Sequence, residues 1–304
     1  LYPLASYTFR VKQLDSIFVS GQSNSSRMSY LPEVEGVDIF SGKKTNLLTL
    51  EPGRANLANN ISRMAFAQIP GINILYMAGA GTQVNIGSRG TDAHRSIEMN
   101  MRQNGYVTNS DIFGYPENHY TVPMQAIKKI QLVRGSAALQ FGSQFGGMMN
   151  YVMKEGDTSR PFSFESNQTT GSNNFLNSYN AISGKIGKLS YYAYYDYRHG
   201  DGWRQDAQFN YHAYYANLKY AFNNKGSISF QCSRMDYVQK IAGGLTDAQF
   251  HDNPKQSTRS RNYFEPEINL PAIIFKYHWR GNTSLEIITH VITGQRNSVQ
   301  FINT

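Results

Sequence analysis

Residues 189–198 read Leu-Ser-Tyr-Tyr-Ala-Tyr-Tyr-Asp-Tyr-Arg, and the alternation in this stretch decides the fold class. Leu189, Tyr191, Ala193, Tyr195 and Tyr197 share one parity, with Ser190, Asp196 and Arg198 on the other. Successive side chains of an extended chain point to opposite faces. A period of two therefore predicts a strand with an apolar-aromatic face and a mixed polar face. The pattern recurs down the chain. Tyr214, Ala216, Leu218, Tyr220 and Phe222 oppose Asn217 and Lys219; Ile228, Phe230 and Cys232 oppose Ser229, Gln231 and Ser233. Ile273, Phe275, Tyr277 and Trp279 alternate with Lys276, His278 and Arg280, and Leu285, Ile287 and Val291 form a further face. Two weaker strands, around 162–170 and 177–186, bring the expected number to about seven.

The connections carry a second signal. Gly187-Lys188, Asn223-Asn224-Lys225-Gly226 and Gly281-Asn282-Thr283 predict tight turns. The stretches 171–174, 199–208 and 238–270 predict longer ones, so short and long strictly alternate. Short turns at one end and longer loops at the other characterise outer-membrane barrels. A soluble all-β domain is the competing reading of the strands taken singly. If the chain is a barrel, Leu189, Tyr191, Tyr195, Tyr214, Leu218, Tyr220, Ile228 and Phe230 are expected to face lipid. Asp196, Asn217, Lys219, Ser229 and Gln231 are expected to face the lumen.

Composition points the same way. Only 16% of the 304 residues are charged, against a globular norm of about 25%, while 13% are aromatic, with 21 Tyr and 17 Phe. No apolar run is long enough for a membrane helix. The single cysteine, Cys232, excludes a disulfide framework and a cysteine-based zinc site. A net charge of +8 raises the question of nucleic acid, but Lys43-Lys44 and Lys128-Lys129 are isolated pairs and no basic stripe runs through the chain. No nucleic-acid partner is expected. Nor is an enzyme. The run from Gly36 to Gly42-Lys43-Lys44-Thr45 imitates a phosphate loop with the wrong spacing, and His94 with Glu98 lacks a third metal ligand nearby. No catalytic residues, cofactor or metal site emerge.

The most informative region is 56–154. In order it carries Asn-Asn-Ile-Ser-Arg (59–63), Ile-Pro-Gly-Ile-Asn-Ile (69–74), Ser-Arg-Gly (88–90) and Arg-Gln-Asn-Gly-Tyr (102–106). It continues with Val-Arg-Gly-Ser-Ala-Ala-Leu-Gln-Phe-Gly (133–142) and Gly-Gly-Met-Met-Asn-Tyr-Val (146–152). This series resembles the plug domain of TonB-dependent outer-membrane receptors. The stretch Asp111-Ile-Phe-Gly-Tyr-Pro-Glu-Asn-His-Tyr120 resembles the ferric-citrate-type branch from Bacteroidetes-like bacteria. Asn104-Gly105 stands where the wider family often has Asp-Gly, and either pair suits a type I′ hairpin. Gly135, Gly142, Gly146 and Gly147 punctuate short strands, as a domain confined in a barrel requires and as ordinary turns also do.

The resemblance implies a transmembrane β-barrel, here partial, preceded by an α+β plug domain. The expected divisions are an N-terminal segment at 1–26, a plug at 27–157 and the first barrel strands at 158–304. Seven strands close no bacterial barrel, and the start lacks a signal peptide, so the chain is expected to be a piece of a longer receptor. Leu14-Asp15-Ser16-Ile17-Phe18-Val19-Ser20-Gly21 resembles a TonB box, with Asp15, Ser16, Ile17, Phe18 and Val19 at its centre. Such a β-prone segment beside the flexible 22–26 can add to a partner's sheet edge; a plain first strand is the alternative. The resemblance implies that Arg89 and Arg134 hold the plug to the barrel by pairing with acidic wall residues expected beyond Thr304, unless they are ordinary surface arginines. Arg95, Tyr115, Asn118, His119 and Tyr120 are expected at the extracellular apices, offering charge and hydrogen bonds to an anionic ferric chelate. A purely structural apex loop is the competing reading. The implied function is TonB-dependent uptake of a ferric chelate, of ferric-citrate or siderophore type, across the outer membrane of a Gram-negative bacterium. The implied partners are TonB with its inner-membrane energising complex and outer-membrane lipid. The rival is a structural component of a larger surface complex, with a surface lipoprotein as partner.

Overall fold

The computed structural model describes residues 28–41, 44–50, 62–66, 69–76, 81–110, 116–142, 144–279 and 283–300. The glycine-punctuated half forms short elements: β1 (Met28–Ser29), β2 (Val34–Glu35), β3 (Asp38–Ile39), β4 (Thr45–Thr49), α1 (Ser62–Phe66), β5 (Ile72–Tyr76) and β6 (Val84–Ser88). These are followed by β7 (Met99–Gln103), β8 (Tyr106–Val107), β9 (Ile127–Val133) and β10 (Gly147–Met153). Six of them make a mixed sheet in the order β1-β4-β9-β10-β7-β8, in which β10 runs parallel to β7 and antiparallel to β9. Asn104 and Gly105 join β7 to β8 with φ of +46° and +91°, the two-residue turn with positive φ at both centres. At Gly147 (φ +96°) a Cβ would stand 2.5 Å from the Val133 carbonyl, so the approach of β10 to β9 requires glycine there.

The alternating half forms an antiparallel meander: β11 (Ser163–Gly171), β12 (Phe175–Ile186), β13 (Leu189–Gly200), β14 (Phe209–Asn223) and β15 (Gly226–Lys240). It continues through α2 (Asp247–Asp252) to β16 (Tyr263–His278), β17 (Ser284–His290) and β18 (Thr293–Val299). β17 and β18 both pair with β16, at 272–278 and 263–269 respectively, so they are one ribbon interrupted at residues 291–292. Pro271 of β16 lies beside the interruption and has no amide hydrogen to give. The β18 segment, Thr-Gly-Gln-Arg-Asn-Ser-Val, carries no alternation and was not predicted. One connection also differs from expectation. Residues 172–174 make a three-residue turn because Asn173 and Asn174 both adopt positive φ, so 201–208 and 241–262 alone are long at that end.

The two halves pack face to face. Leu218 and Phe230 are 50% and 51% exposed, whereas Asn217, Ser229 and Gln231 are buried against the mixed sheet, as the parity predicts. The buried face is far more aromatic than expected. Tyr179, Tyr192, Tyr194, Tyr211, Tyr215 and Tyr237 all lie on it, in one core with Met99, Met101, Ile127, Ile130 and Met149 of the mixed sheet. Tyr194 and Tyr215 stack at 5.6 Å between ring centroids, and the Tyr179 and Tyr192 hydroxyls are 2.6 Å apart. Tyrosine suits this seam because its ring buries apolar area while a hydroxyl can still find a partner, as those of Tyr179, Tyr192, Tyr211 and Tyr215 do.

Candidate functional site

The long-loop end of the seam gathers a cluster of charged groups. A turn at His94–Ser96 holds Arg95 at φ +54°, and its carbonyl accepts the amide of Asn118 at 2.8 Å. This joins the 94–96 turn to the extended segment after Pro116. Glu117 and His119 are two residues apart, so an extended chain puts both side chains on one face. The Glu117 carboxylate then receives Arg95 Nη1 at 2.5 Å on one oxygen, and His119 Nε2 at 2.7 Å on the other. Arg296 of β18 approaches the second oxygen at 3.5 Å. Three basic side chains from three segments converge on one carboxylate.

Burial alone would raise the Glu117 carboxyl, but hydrogen bonds and charge from Arg95 and His119 outweigh it and hold the group below its ordinary value. His119 is fully buried beside the Phe264 ring at 5.2 Å. Burial dominates there, overrides the Glu117 hydrogen bond and lowers the imidazole to about 4. The neutral imidazole is therefore a hydrogen-bonding strut, and the two guanidiniums are the charge. Arg95 and Arg296 retain about a quarter of their surface. They are the partly exposed charges of the cluster.

The expected ligand residues divide accordingly. Arg95 is partly exposed. Asn118, His119 and Tyr120 are interior, because the segment is buried on both of its faces. Asn118 accepts from the Thr108 hydroxyl and donates to the Tyr120 carbonyl at 2.9 Å; the Tyr120 hydroxyl donates to Gln103 Oε1 at 2.8 Å. Burial pushes the Tyr120 phenol up to about 12. These three shape the apex rather than present donors to solvent. Tyr115 lies outside the described residues, as do Asp15–Val19. Glu117 and Arg296 were missed. The spacing of Glu117 before His119 could have marked it, but nothing in the irregular β18 sequence marks Arg296.

The wall carboxylates that would pair with Arg89 and Arg134 are expected beyond Thr304, outside the described residues. Arg134 bonds the Pro70 carbonyl at 2.8 Å and Asn46 Oδ1 at 2.7 Å, both within its own half, and Arg89 is exposed. Neither meets a carboxylate among the described residues. Charge pairs between the two halves run both ways. Arg296 to Glu117 and Lys219 to Glu155 at 2.9 Å put the cation on the meander. Lys154 to Glu165 at 2.9 Å puts it on the glycine-punctuated half. Arg198, fully buried, pairs with Asp196 two residues before it and donates to the Gly81 carbonyl at 3.3 Å. Its guanidinium lies 4.4 Å from the Tyr211 ring centroid. Asp196 also accepts from Asn177, which accepts from Gln125, so the pair is tied to the glycine-punctuated half at two points, Gly81 and Gln125.

The arrangement of a mixed sheet seated on the inner face of an antiparallel meander has counterparts among solved structures. The ferric citrate transporter FecA in its unliganded form superposes with a TM-score of 0.69 at 19% identity. The alignment covers 85% of this chain and 41% of FecA. The ferripyoverdine receptor of the outer membrane of Pseudomonas aeruginosa gives 0.65 at 14% identity, covering 84% of this chain and 34% of the receptor. The fold is that of a TonB-dependent outer-membrane receptor. The ferric-catecholate import receptor Fiu from K12 E. coli, at 0.64 and 12% identity, and the copper transporter OprC, at 0.62 and 10%, share it. The chain spans less than half the length of each of these receptors. No family model and no curated protein matches the chain.

Proposed function

We propose that this chain is the first part of an outer-membrane receptor that imports an anionic ferric chelate with energy supplied through TonB. In this reading residues 27–157 are the plug, residues 158–304 are the opening strands of the barrel wall, and the exposed Leu218–Phe230 face meets lipid. The observation that carries the proposal is the convergence of Arg95 and Arg296 on Glu117 at the long-loop end of a receptor fold. A chelate carboxylate has the charge and shape to bond two guanidiniums there. Because the copper transporter OprC shares the fold, the cargo is read from these side chains and not from the architecture. The ferric-citrate type follows from the resemblance of residues 111–120.

Seating the chelate frees the segment at Asp15–Val19 for TonB, which pulls on the plug from the periplasm. The test uses the full-length receptor in a strain lacking its own ferric-citrate uptake. Wild type should bind and import iron-55-labelled ferric citrate. Ile17→Pro or Phe18→Pro should keep surface binding and abolish uptake, since proline removes a donor and resists strand addition. Uptake at the wild-type rate in either proline variant, at normal expression, would sink the TonB-box assignment.

A further inference from the structure

The opposite end of the plug–wall seam holds a cleft unrelated to the apex cluster. Beside the Asn104–Gly105 turn, the plug sheet separates from β14–β17 around two adjoining cavities of about 250 and 470 Å³. Both include Glu35, Asn104, Lys129, Val152 and Lys276 in their lining. Together they approach the size of a small-ligand pocket, about 300–1,000 Å³. Lys219 is paired in register with Ser190 and Ser229, and Lys276 with Ser227 and Glu286. These positions lie a few residues from the short turns, the periplasmic end in the orientation proposed above.

The lining of the smaller cavity is strongly biased in charge. Lys128, Lys129 and Lys154 reach it from the plug, and Lys219 and Lys276 from the wall, against the carboxylates Glu35 and Glu155. Four of the lysines hold carboxylates: Lys129–Glu35 at 2.5 Å, Lys219–Glu155 at 2.9 Å, Lys276–Glu286 at 2.8 Å and Lys154–Glu165 at 2.9 Å. All four ammonium groups remain partly solvated, and solvated pairs of this kind are weak and readily exchanged. Lys128 has no carboxylate within ion-pair distance among the described residues. Its charge still reaches Glu155. Burial would raise that carboxyl, but the hydrogen bond and charge of Lys219, with Lys128 and Lys276 behind, bring it below its ordinary value. A lysine-rich recess between low-dielectric walls concentrates anions.

We propose that this cleft is an exit site for anionic cargo, where the lysines exchange their carboxylate partners for those of the chelate on its way to the periplasm. The inference rests on the transport reading above, and its consequences differ from those of a purely structural ion-pair network. Loss of a lysine should slow passage, whereas loss of a competing carboxylate should not.

The experiment measures surface binding and uptake of iron-55-labelled ferric citrate in full-length receptor carrying Lys128→Gln, Lys219→Gln or Glu155→Gln. Both lysine variants should bind normally at the surface and import about tenfold more slowly. Glu155→Gln should import at or above the wild-type rate. Equal losses in Lys219→Gln and Glu155→Gln would show that their pairing only braces the plug, and overturn the proposal. Wild-type uptake in Lys128→Gln, which breaks no ion pair, would overturn it too. A wild-type receptor that neither binds nor imports ferric citrate would instead defeat the transport reading on which this one stands.

Discussion

Arg198 shows what a single buried charge demands. It sits on an inward face with no solvent, and it is kept by Asp196, the Gly81 carbonyl and the Tyr211 ring. Arg198→Met would strand Asp196 as a buried carboxylate held only by Asn177. Breaking such a pair costs about 3–5 kcal/mol. The double variant Arg198→Met with Asp196→Leu should recover most of that, and thermal unfolding of the purified full-length receptor measures both. Recovery of nothing would mean that Gly81 and Gln125, rather than the charge pair, hold this region. His119 makes a pH prediction. Its imidazole titrates near 4 when folded and near 6.5 when free, so the unfolded chain takes up a proton first as pH falls. Stability is therefore complete above about pH 6.5 and declines toward pH 4, by on the order of 3 kcal/mol at most. Protonation of Glu117 adds to the loss at lower pH. A His119→Gln variant should show a flatter melting-temperature profile between pH 6.5 and 4; an unchanged slope would assign the acid sensitivity elsewhere.

At the scale of elements, the turn between β7 and β8 and the faces of β14 carry the clearest consequences. Gly105 lies at φ +91°, and a Cβ there would come within 3.1 Å of Ile288 on β17. Gly105→Ala should destabilise by more than about 1 kcal/mol, the strain of the backbone adding to the contact. Hydrogen exchange at 102–107 would register it. On β14, Leu218 points outward and Asn217 inward, where it accepts the Ser229 hydroxyl at 2.6 Å. Leu218→Arg should cost about 2–4 kcal/mol if this face meets the middle of a bilayer, and should reduce the amount of assembled receptor. Asn217→Arg points into the lysine-lined cleft, which has room for it, and should assemble normally. The reverse outcome would mean that lipid lies on the other face.

For the whole molecule, the decisive feature is that the seam between the mixed sheet and the meander is a core held by apolar packing and hydrogen bonds together. Tyr215 stacks on Tyr194, packs beside Tyr192 and accepts Asn104 Nδ2 at 3.2 Å; Asn104 also donates to Gln231 at 2.9 Å. Gln103 donates to Ser233 at 2.9 Å, and the Tyr211 hydroxyl donates to the Thr121 carbonyl at 2.9 Å. With apolar packing and hydrogen bonds both crossing the seam, β7 and β10 should exchange their amide hydrogens as slowly as β13–β15, in one cooperative unit. Faster exchange of β7 and β10 by orders of magnitude would describe a plug that opens independently of this wall. In the transport reading proposed above, TonB would pull against this seam, and the ionic contacts at either end are its weaker points.

Alternation by itself determined most strands of the meander and which of their residues face outward, because pleating ties parity to face wherever a strand is regular. Positive φ at Asn104 and Gly105 was equally local, since the type I′ turn selects those residue types. The ordered motifs of 59–152 carried the family resemblance, because close backbone approaches such as β10 on β9 require glycine at fixed places. Other features were outside the reach of any local pattern. β18 exists because β16 is long enough to pair twice, and Arg296 meets Glu117 from 179 residues away by that route. The same packing buried Asn118, His119 and Tyr120. Tertiary structure decided the candidate site because charges from distant segments share one carboxylate only when the two sheets close on each other.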